Sequence, residues 1–223
     1  MLWLEAETAD GVVGLGETFY AAEAVEAYIH ANLAPIVLGM SAVDIEAVYY
    51  RTRPYVGFVA ASTELRARSA LDIALWDALG KVTGQPISVL LGGRIRSQIP
   101  VYNTCAGNQY VRGTKLGTTE NFGISSSGTD QNYEDLDRFL NDPVGLAGSL
   151  LDMGIDSMKI WPFDFAAEAT QGQFISPAEL NKALAPFEAI KKEYGDRMQI
   201  SAELHGMWNL SESLIICQAL DEI

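Results

Sequence analysis

The sequence has few cysteines, few basic residues and no long apolar run, and each scarcity excludes a class of protein. Two cysteines, Cys105 and Cys217, are too few for a disulfide scaffold, and their separation fits neither a redox motif nor a zinc site. Only 15 Lys and Arg stand against 29 Asp and Glu, a net charge of −14, so no basic face is expected for nucleic acid or an anionic membrane. No run reaches the roughly 18 apolar residues of a membrane span, and acids at Glu5 and Glu7 do not fit a signal peptide. We therefore expect a reduced, cytoplasmic, globular protein.

The pattern of secondary structure changes after Gly92 and Gly93 and divides the chain into two predicted domains, 1–98 and 99–223. The first domain begins with two short strands joined by a turn at Asp10–Gly11. Helical periodicity follows in three segments, 21–33 (ending before Pro35), 42–51 and 63–79. This arrangement predicts an α+β domain.

The second domain has the predicted order β-α-β-α-β-α, with a long polar loop at 107–130. The predicted strands are 99–105, 157–161 and 198–204; the predicted helices are 133–153 (interrupted at Asp142–Pro143), 177–194 (capped by Ser176) and one beginning near Ser211. The connections are long enough for parallel strands with right-handed helical crossovers. The order therefore predicts an α/β barrel or an open parallel sheet.

Ionisable side chains fall at the ends of two predicted neighbouring strands. Lys159 and Trp161 share one face of the strand at 157–161, and Glu203 and His205 share one face at the end of the next strand. Each residue alone has an ordinary interpretation, as a solvated lysine, a packed histidine or a core tryptophan. Their coincidence at the carboxyl ends of parallel strands, where α/β proteins carry their sites, favours an active site.

Several motifs resemble the enolase superfamily, in its mandelate racemase / muconate lactonizing enzyme branch, and in particular its sugar-acid dehydratases. They are SALDIALWDALGK at 69–81, GQPI at 84–87, LLGG at 90–93, GVVGLGE at 11–17, MKIWPFD at 158–164 and ELHGMWN at 203–209. The resemblance implies an α+β cap domain at 1–98 followed by a (β/α) TIM-type barrel. Residues 99–223 would hold about three of its eight strand–helix units, since a whole barrel takes roughly 250 residues.

The resemblance also implies a metal-dependent site. Superfamily members use a Lys or His base together with Mg²⁺, and Glu203 matches the first metal-ligand position. Lys159 matches a lysine that polarises the substrate carboxylate. Many relatives carry a second lysine as base where this chain has Trp161. His205, two residues after Glu203, resembles the acid/base histidine of the superfamily's sugar-acid dehydratases and is the expected acid/base residue. Predicted substrate contacts are Trp161, Asn103, Tyr20 and Tyr55.

The expected reaction is Mg²⁺-dependent abstraction of the proton α to a carboxylate, with dehydration of a sugar acid as the first hypothesis. A racemase or epimerase of a hydroxy acid is an alternative, because the residue on the opposite face of the substrate is not identified. A third hypothesis is a truncated, non-catalytic chain that lacks the full metal site, since Glu203 alone is a poor Mg²⁺ site. The resemblance implies a homo-oligomer for the full-length protein.

Overall fold

The computed structural model describes residues 1–55, 61–107 and 134–223. Most of the predicted loop at 107–130 therefore lies outside the described residues. The chain divides into two compact units, Met1–Gln98 and Ile99–Ile223. Within the described ranges, no helix is both long and apolar enough to cross a bilayer.

The first unit opens with an antiparallel hairpin that packs on a long helix. Strand β1 (Leu2–Glu7) pairs with β2 (Val13–Thr18). The backbone of β2 contacts the helix Thr63–Thr83 so closely that a Cβ on Gly14 or Gly16 would lie 1.9 Å from a helix carbonyl oxygen. The glycines that interrupt the apolar pattern of this strand are therefore required by helix packing.

The described part of the first unit, 1–55 and 61–98, also contains α-helices. They are α1 (Ala22–Tyr28), α2 (Ala34–Val37), α3 (Ile45–Thr52), α4 (Thr63–Thr83) and α5 (Ile87–Leu90). The prediction that helical structure ends before Pro35 is wrong, because a π-helical turn at Ile29–Leu33 leads directly into α2. Pro35 lies in the first turn of α2.

The second unit is built on a small parallel sheet. Strand β3 (Ser157–Ile160) pairs with β4 (Gln199–Ala202) in parallel register, as the sequence predicts. On the other edge of β3, Asn103 N–H donates to the Ser157 carbonyl (3.0 Å) and the Asn103 carbonyl accepts from Lys159 N–H (2.8 Å). The predicted strand at 99–105 is thus reduced to a single bridge, and the strand predicted at 198–204 ends at Ala202.

Helices cover this sheet. They are α6 (Asp135–Asn141), α7 (Pro143–Asp152), α8 (Asp164–Thr170), α9 (Pro177–Tyr194) and α10 (Leu210–Leu220). The break at Asp142 is confirmed: its carboxylate accepts from Gly145 N–H and caps α7. The capping box of Ser176 with Glu179 is also confirmed at the start of α9. Helix α8 is not predicted from the sequence, and it carries a residue of the site described below.

Large apolar side chains from β3 and from the surrounding helices and loops form one buried cluster, the core of the second unit. They include Phe139, Leu146, Met158, Ile160, Trp161, Phe163, Phe187 and Ile190. In the described part of the chain, β4 pairs with β3 alone. A cavity of about 440 Å³ lies along β4, lined by Phe187, Gln199, Ile200, Ala202 and Leu220 among others.

Candidate active site

An ion pair joins the ends of β3 and β4. Lys159 Nζ lies 3.1 Å from Glu203 Oε2, and the two side chains are 21% and 31% exposed. Burial alone would lower the pKa of Lys159, but the Glu203 carboxylate outweighs burial and raises that pKa above its ordinary value. The Lys159 ammonium also lies 5.4 Å from the ring centre of Tyr102. Lys159 is therefore held as an ammonium at the end of β3.

A tight turn brings Glu203 and His205 together. The backbone of His205 has φ 48°, and its N–H donates to Glu203 Oε1 at 2.9 Å. The alternation of side chains between the two faces of a strand does not apply to these residues, because β4 ends at Ala202. Partial burial alone would raise the pKa of Glu203, but the His205 N–H and the Lys159 ammonium lower it. Glu203 is thus held as a carboxylate with a donor on each oxygen.

Asp164 is a buried partner of His205 that sequence reasoning missed. Asp164 Oδ2 lies 2.7 Å from His205 Nδ1, and the Asp164 side chain is fully buried while that of His205 is 24% exposed. Burial raises the pKa of Asp164 to about 6, against the opposing effect of His205. The sequence shows an acidic residue directly after Trp-Pro-Phe, but its pattern does not predict helix α8. The position of Asp164 in the fold therefore could not be predicted.

Trp161 packs beneath His205. Its side chain is 1% exposed, and its ring meets the His205 ring edge-on at 5.8 Å and the Phe139 ring at 5.4 Å. Such burial favours a role in supporting the histidine ring over direct contact with a ligand. Its predicted substrate contact stays a prediction.

The segment between α8 and α9 is hydrogen-bonded to the chain that follows β4. Asn209 N–H donates to the Gly172 carbonyl (3.0 Å), and Ile175 N–H donates to the buried Glu212 carboxylate (2.9 Å). A Cβ on Gly172 would lie 1.8 Å from the Met207 carbonyl oxygen, so only glycine allows this approach. These contacts fix the segment that presents His205.

Asn103 lies beside Lys159 in the sheet, but its side chain is engaged within the protein. Asn103 Oδ1 accepts from Cys105 N–H at 2.6 Å, and Nδ2 donates to Asp135 at 3.1 Å. These bonds anchor the start of α6 beside β3. A substrate contact at Asn103 remains a prediction.

Tyr20 and Tyr55 belong to the first unit, whereas Lys159, Glu203 and His205 belong to the second. Tyr20 is 39% exposed, and the Arg66 guanidinium lies 5.2 Å from its ring centre. Tyr55 is fully exposed and directly precedes the first gap in the described residues. Their predicted contacts with substrate are likewise untested.

Comparison with known proteins identifies the family. Residues 1–92 match the model of the mandelate racemase / muconate lactonizing enzyme N-terminal domain. The fold is similar to that of an enolase of the mandelate racemase subgroup from Agrobacterium tumefaciens, with 42% identity and a TM-score of 0.78 over 98% of this chain and 50% of that one. The chain therefore carries the N-terminal domain of the mandelate racemase / muconate lactonizing enzyme family.

Relatives within this family differ in their reactions. A D-mannonate dehydratase of Novosphingobium aromaticivorans is 30% identical over 86% of this chain and 46% of its own length. Muconate cycloisomerase 1 of Pseudomonas putida is 24% identical over all of this chain and 49% of its own length. The chain thus spans about half the length of the curated relatives it matches. The names of these two relatives describe different reactions, and so they do not fix the reaction of this chain.

Proposed function

We propose that the protein abstracts the proton α to the carboxylate of a sugar acid and eliminates the β-hydroxyl as water. The observation that carries the proposal is the meeting of Lys159, Glu203 and His205 at the ends of adjacent parallel strands. The dehydratase among the relatives supports dehydration as the outcome.

Lys159 is proposed to bind the substrate carboxylate. An α-proton next to a carboxylate is very weakly acidic, because its removal places more negative charge on oxygens that are already anionic. A fixed ammonium directed at those oxygens stabilises the charge that develops in the transition state. The ion pair with Glu203 keeps Lys159 protonated for this role.

His205 is proposed to move the proton. Its ring is partly exposed, whereas its partner Asp164 is not, so the histidine is the member of the pair that a ligand reaches. An imidazole ring both accepts and returns protons, which general acid and base catalysis requires. His205 would remove the α-proton or protonate the departing β-hydroxide.

Mg²⁺ enters the proposal through the family, with Glu203 as one ligand. Among the described residues, no group of three or more His, Cys, Asp or Glu side chains is arranged to hold a metal ion. Both oxygens of Glu203 are already engaged, by Lys159 and by the His205 N–H. The described residues by themselves therefore do not fit a Mg²⁺ site, and the roles given above include no step through the ion.

A panel of sugar acids tests the proposal, with product analysis of the wild-type chain, His205→Gln and His30→Gln. His30 is an exposed histidine of the first unit and serves as the matched control. We expect a 2-keto-3-deoxy acid from the wild type and from His30→Gln, with a loss of at least about 100-fold in His205→Gln. Exchange of the α-hydrogen in D₂O without loss of water would instead indicate racemisation. No product and no exchange, with or without Mg²⁺, would contradict catalysis by this chain.

A further inference from the structure

We propose that Asp164 is a positioning residue that holds His205 in the Nδ1–H tautomer, so that Nε2 is the atom that exchanges a proton with the substrate. The catalytic consequence rests on the proposed function. The tautomer itself is a property of the folded chain and is measured without turnover.

In the hydrogen bond between the two side chains, His205 is the donor and Asp164 is the acceptor. Asp164 Oδ2 lies 2.7 Å from His205 Nδ1, and the carboxylate is fully buried. A carboxylate only accepts hydrogen bonds, so the ring nitrogen that faces it must carry the proton. The opposite tautomer would place the Nδ1 lone pair against the lone pairs of the buried carboxylate. The hydrogen bond would be lost, and the buried carboxylate oxygen would bear its full desolvation penalty.

The ring has little freedom to escape this contact. The His205 backbone is held at φ 48° by the bond from its N–H to Glu203, and the Trp161 ring packs edge-on at 5.8 Å. Rotating the ring to present Nε2 to Asp164 would break the 2.7 Å bond and disturb the packing with Trp161. Since Nδ1 and Nε2 lie on different edges of the imidazole, Nε2 points away from the buried acid.

The tautomer decides whether His205 can act as a base at all. With the proton on Nδ1, Nε2 carries the lone pair that would take the α-proton, and Asp164 would stabilise the resulting imidazolium. In the Ser-His-Asp triad the same arrangement is lost when Asn replaces Asp, because the amide selects the wrong tautomer and lowers kcat about 10⁴-fold. Asn at position 164 would likewise donate its N–H to Nδ1.

Nitrogen NMR of the imidazole rings tests the proposal on the whole 223-residue chain. The chain contains two histidines, so a His30→Gln sample assigns both rings, and exposed His30 serves as the reference for an unconstrained imidazole. At a pH high enough for the ring to be neutral, we expect a pyrrole-type ¹⁵N shift at His205 Nδ1 and a pyridine-type shift at Nε2. In Asp164→Asn these two shifts should exchange between the nitrogens.

Asp196→Asn is the matched control, because this exposed aspartate pairs with Lys191 in the same unit. Its His205 shifts should equal those of the wild type. If Asp164→Asn does not fold, the wild-type shifts alone decide. A pyridine-type shift at Nδ1 in the wild type, or the same tautomer ratio as His30, overturns the proposal. A wild type in the Nδ1–H form that turns over no sugar acid leaves the positioning role standing and contradicts the proposed function.

Discussion

Lys159 and Glu203 are 44 residues apart in the sequence, yet Lys159 Nζ and Glu203 Oε2 lie 3.1 Å apart. The parallel register explains the meeting: Lys159 faces Ser201 across the sheet, and Glu203 follows two residues later, where its N–H donates to the Ile160 carbonyl. Glu203 then accepts from the ammonium and from the His205 N–H. One carboxylate thus organises both proposed catalytic groups.

We expect Glu203→Gln to lose stability in a pH-dependent way. The folded-state pKa of Glu203 is lowered, so its ionised form stabilises the fold above the unfolded pKa of about 4.3, and this contribution disappears as the pH falls through the folded pKa. The variant should be less stable than the wild type by about 1 kcal/mol at pH 7. The difference should shrink as the pH falls below about 4.3 and through the lower folded-state pKa.

Urea unfolding at several pH values measures this effect. Replacing Trp3 and Trp76 by Phe leaves Trp161 and Trp208 as fluorescent reporters of the second unit. Glu188→Gln, an exposed change on α9, is the control and should show no such dependence. An equal loss at pH 7 and pH 3 would contradict the assignment to charge.

The close approach of the backbone at Gly172 predicts that alanine destabilises the protein more at this position than at another glycine with positive φ. Gly172 has φ 69° and Gly154 has φ 79°, so alanine strains the backbone at both, by about 1–2 kcal/mol. At Gly172 the new Cβ would also meet the Met207 carbonyl, whereas at Gly154 nothing lies within 4 Å. We therefore expect Gly172→Ala to cost a further 1–3 kcal/mol or so beyond Gly154→Ala.

Urea unfolding of the two alanine variants provides the comparison. Because the Gly172 contact supports the segment that presents His205, Gly172→Ala should also shift the His205 imidazole resonances, and Gly154→Ala should not. Equal losses of stability in the two variants would show that backbone strain alone is at work.

Weak Mg²⁺ binding is expected for the 223-residue chain. Mg²⁺ takes near-octahedral oxygen coordination, usually with more than one carboxylate or a substrate oxygen, and Glu203 is a single carboxylate paired with Lys159. Calorimetric titration should show no saturation at sub-millimolar Mg²⁺. Tight binding that Glu203→Gln abolishes would contradict this expectation.

The unpaired edge of β4 predicts self-association of the chain. In the described residues this strand pairs only with β3, and a cavity lined by Ile200, Ala202 and Leu220 runs beside it. Open edges beside apolar surface favour pairing with other chains. Size-exclusion chromatography with light scattering should therefore find dimers or larger species.

A charge on that edge should reduce the association. Gln199 is an exposed residue of β4, so Gln199→Lys should shift the distribution toward monomer. Gln173→Lys adds the same charge at an exposed position outside the strands and should leave the distribution unchanged. A sharp monomer peak for the wild type would contradict the prediction.

The sequence by itself determined the elements whose signals are local, and the family. The hairpin, the break at Asp142 and the capping box at Ser176 follow from residues within a few positions of one another. The strand-end positions of Lys159 and Glu203 follow from the parallel β-α-β order, because parallel strands bring their carboxyl ends to one edge.

Only the tertiary structure decided how the cluster is assembled. Strand periodicity placed Glu203 and His205 on one face, but a turn with φ 48° at His205 makes their contact, because β4 stops at Ala202. Asp164 contacts His205, which lies 41 residues later in the sequence. Asp164 belongs to a short helix that the local sequence pattern does not predict. Trp161 is buried because the core closes around it. Contacts between distant segments depend on packing, and packing is set by the whole fold.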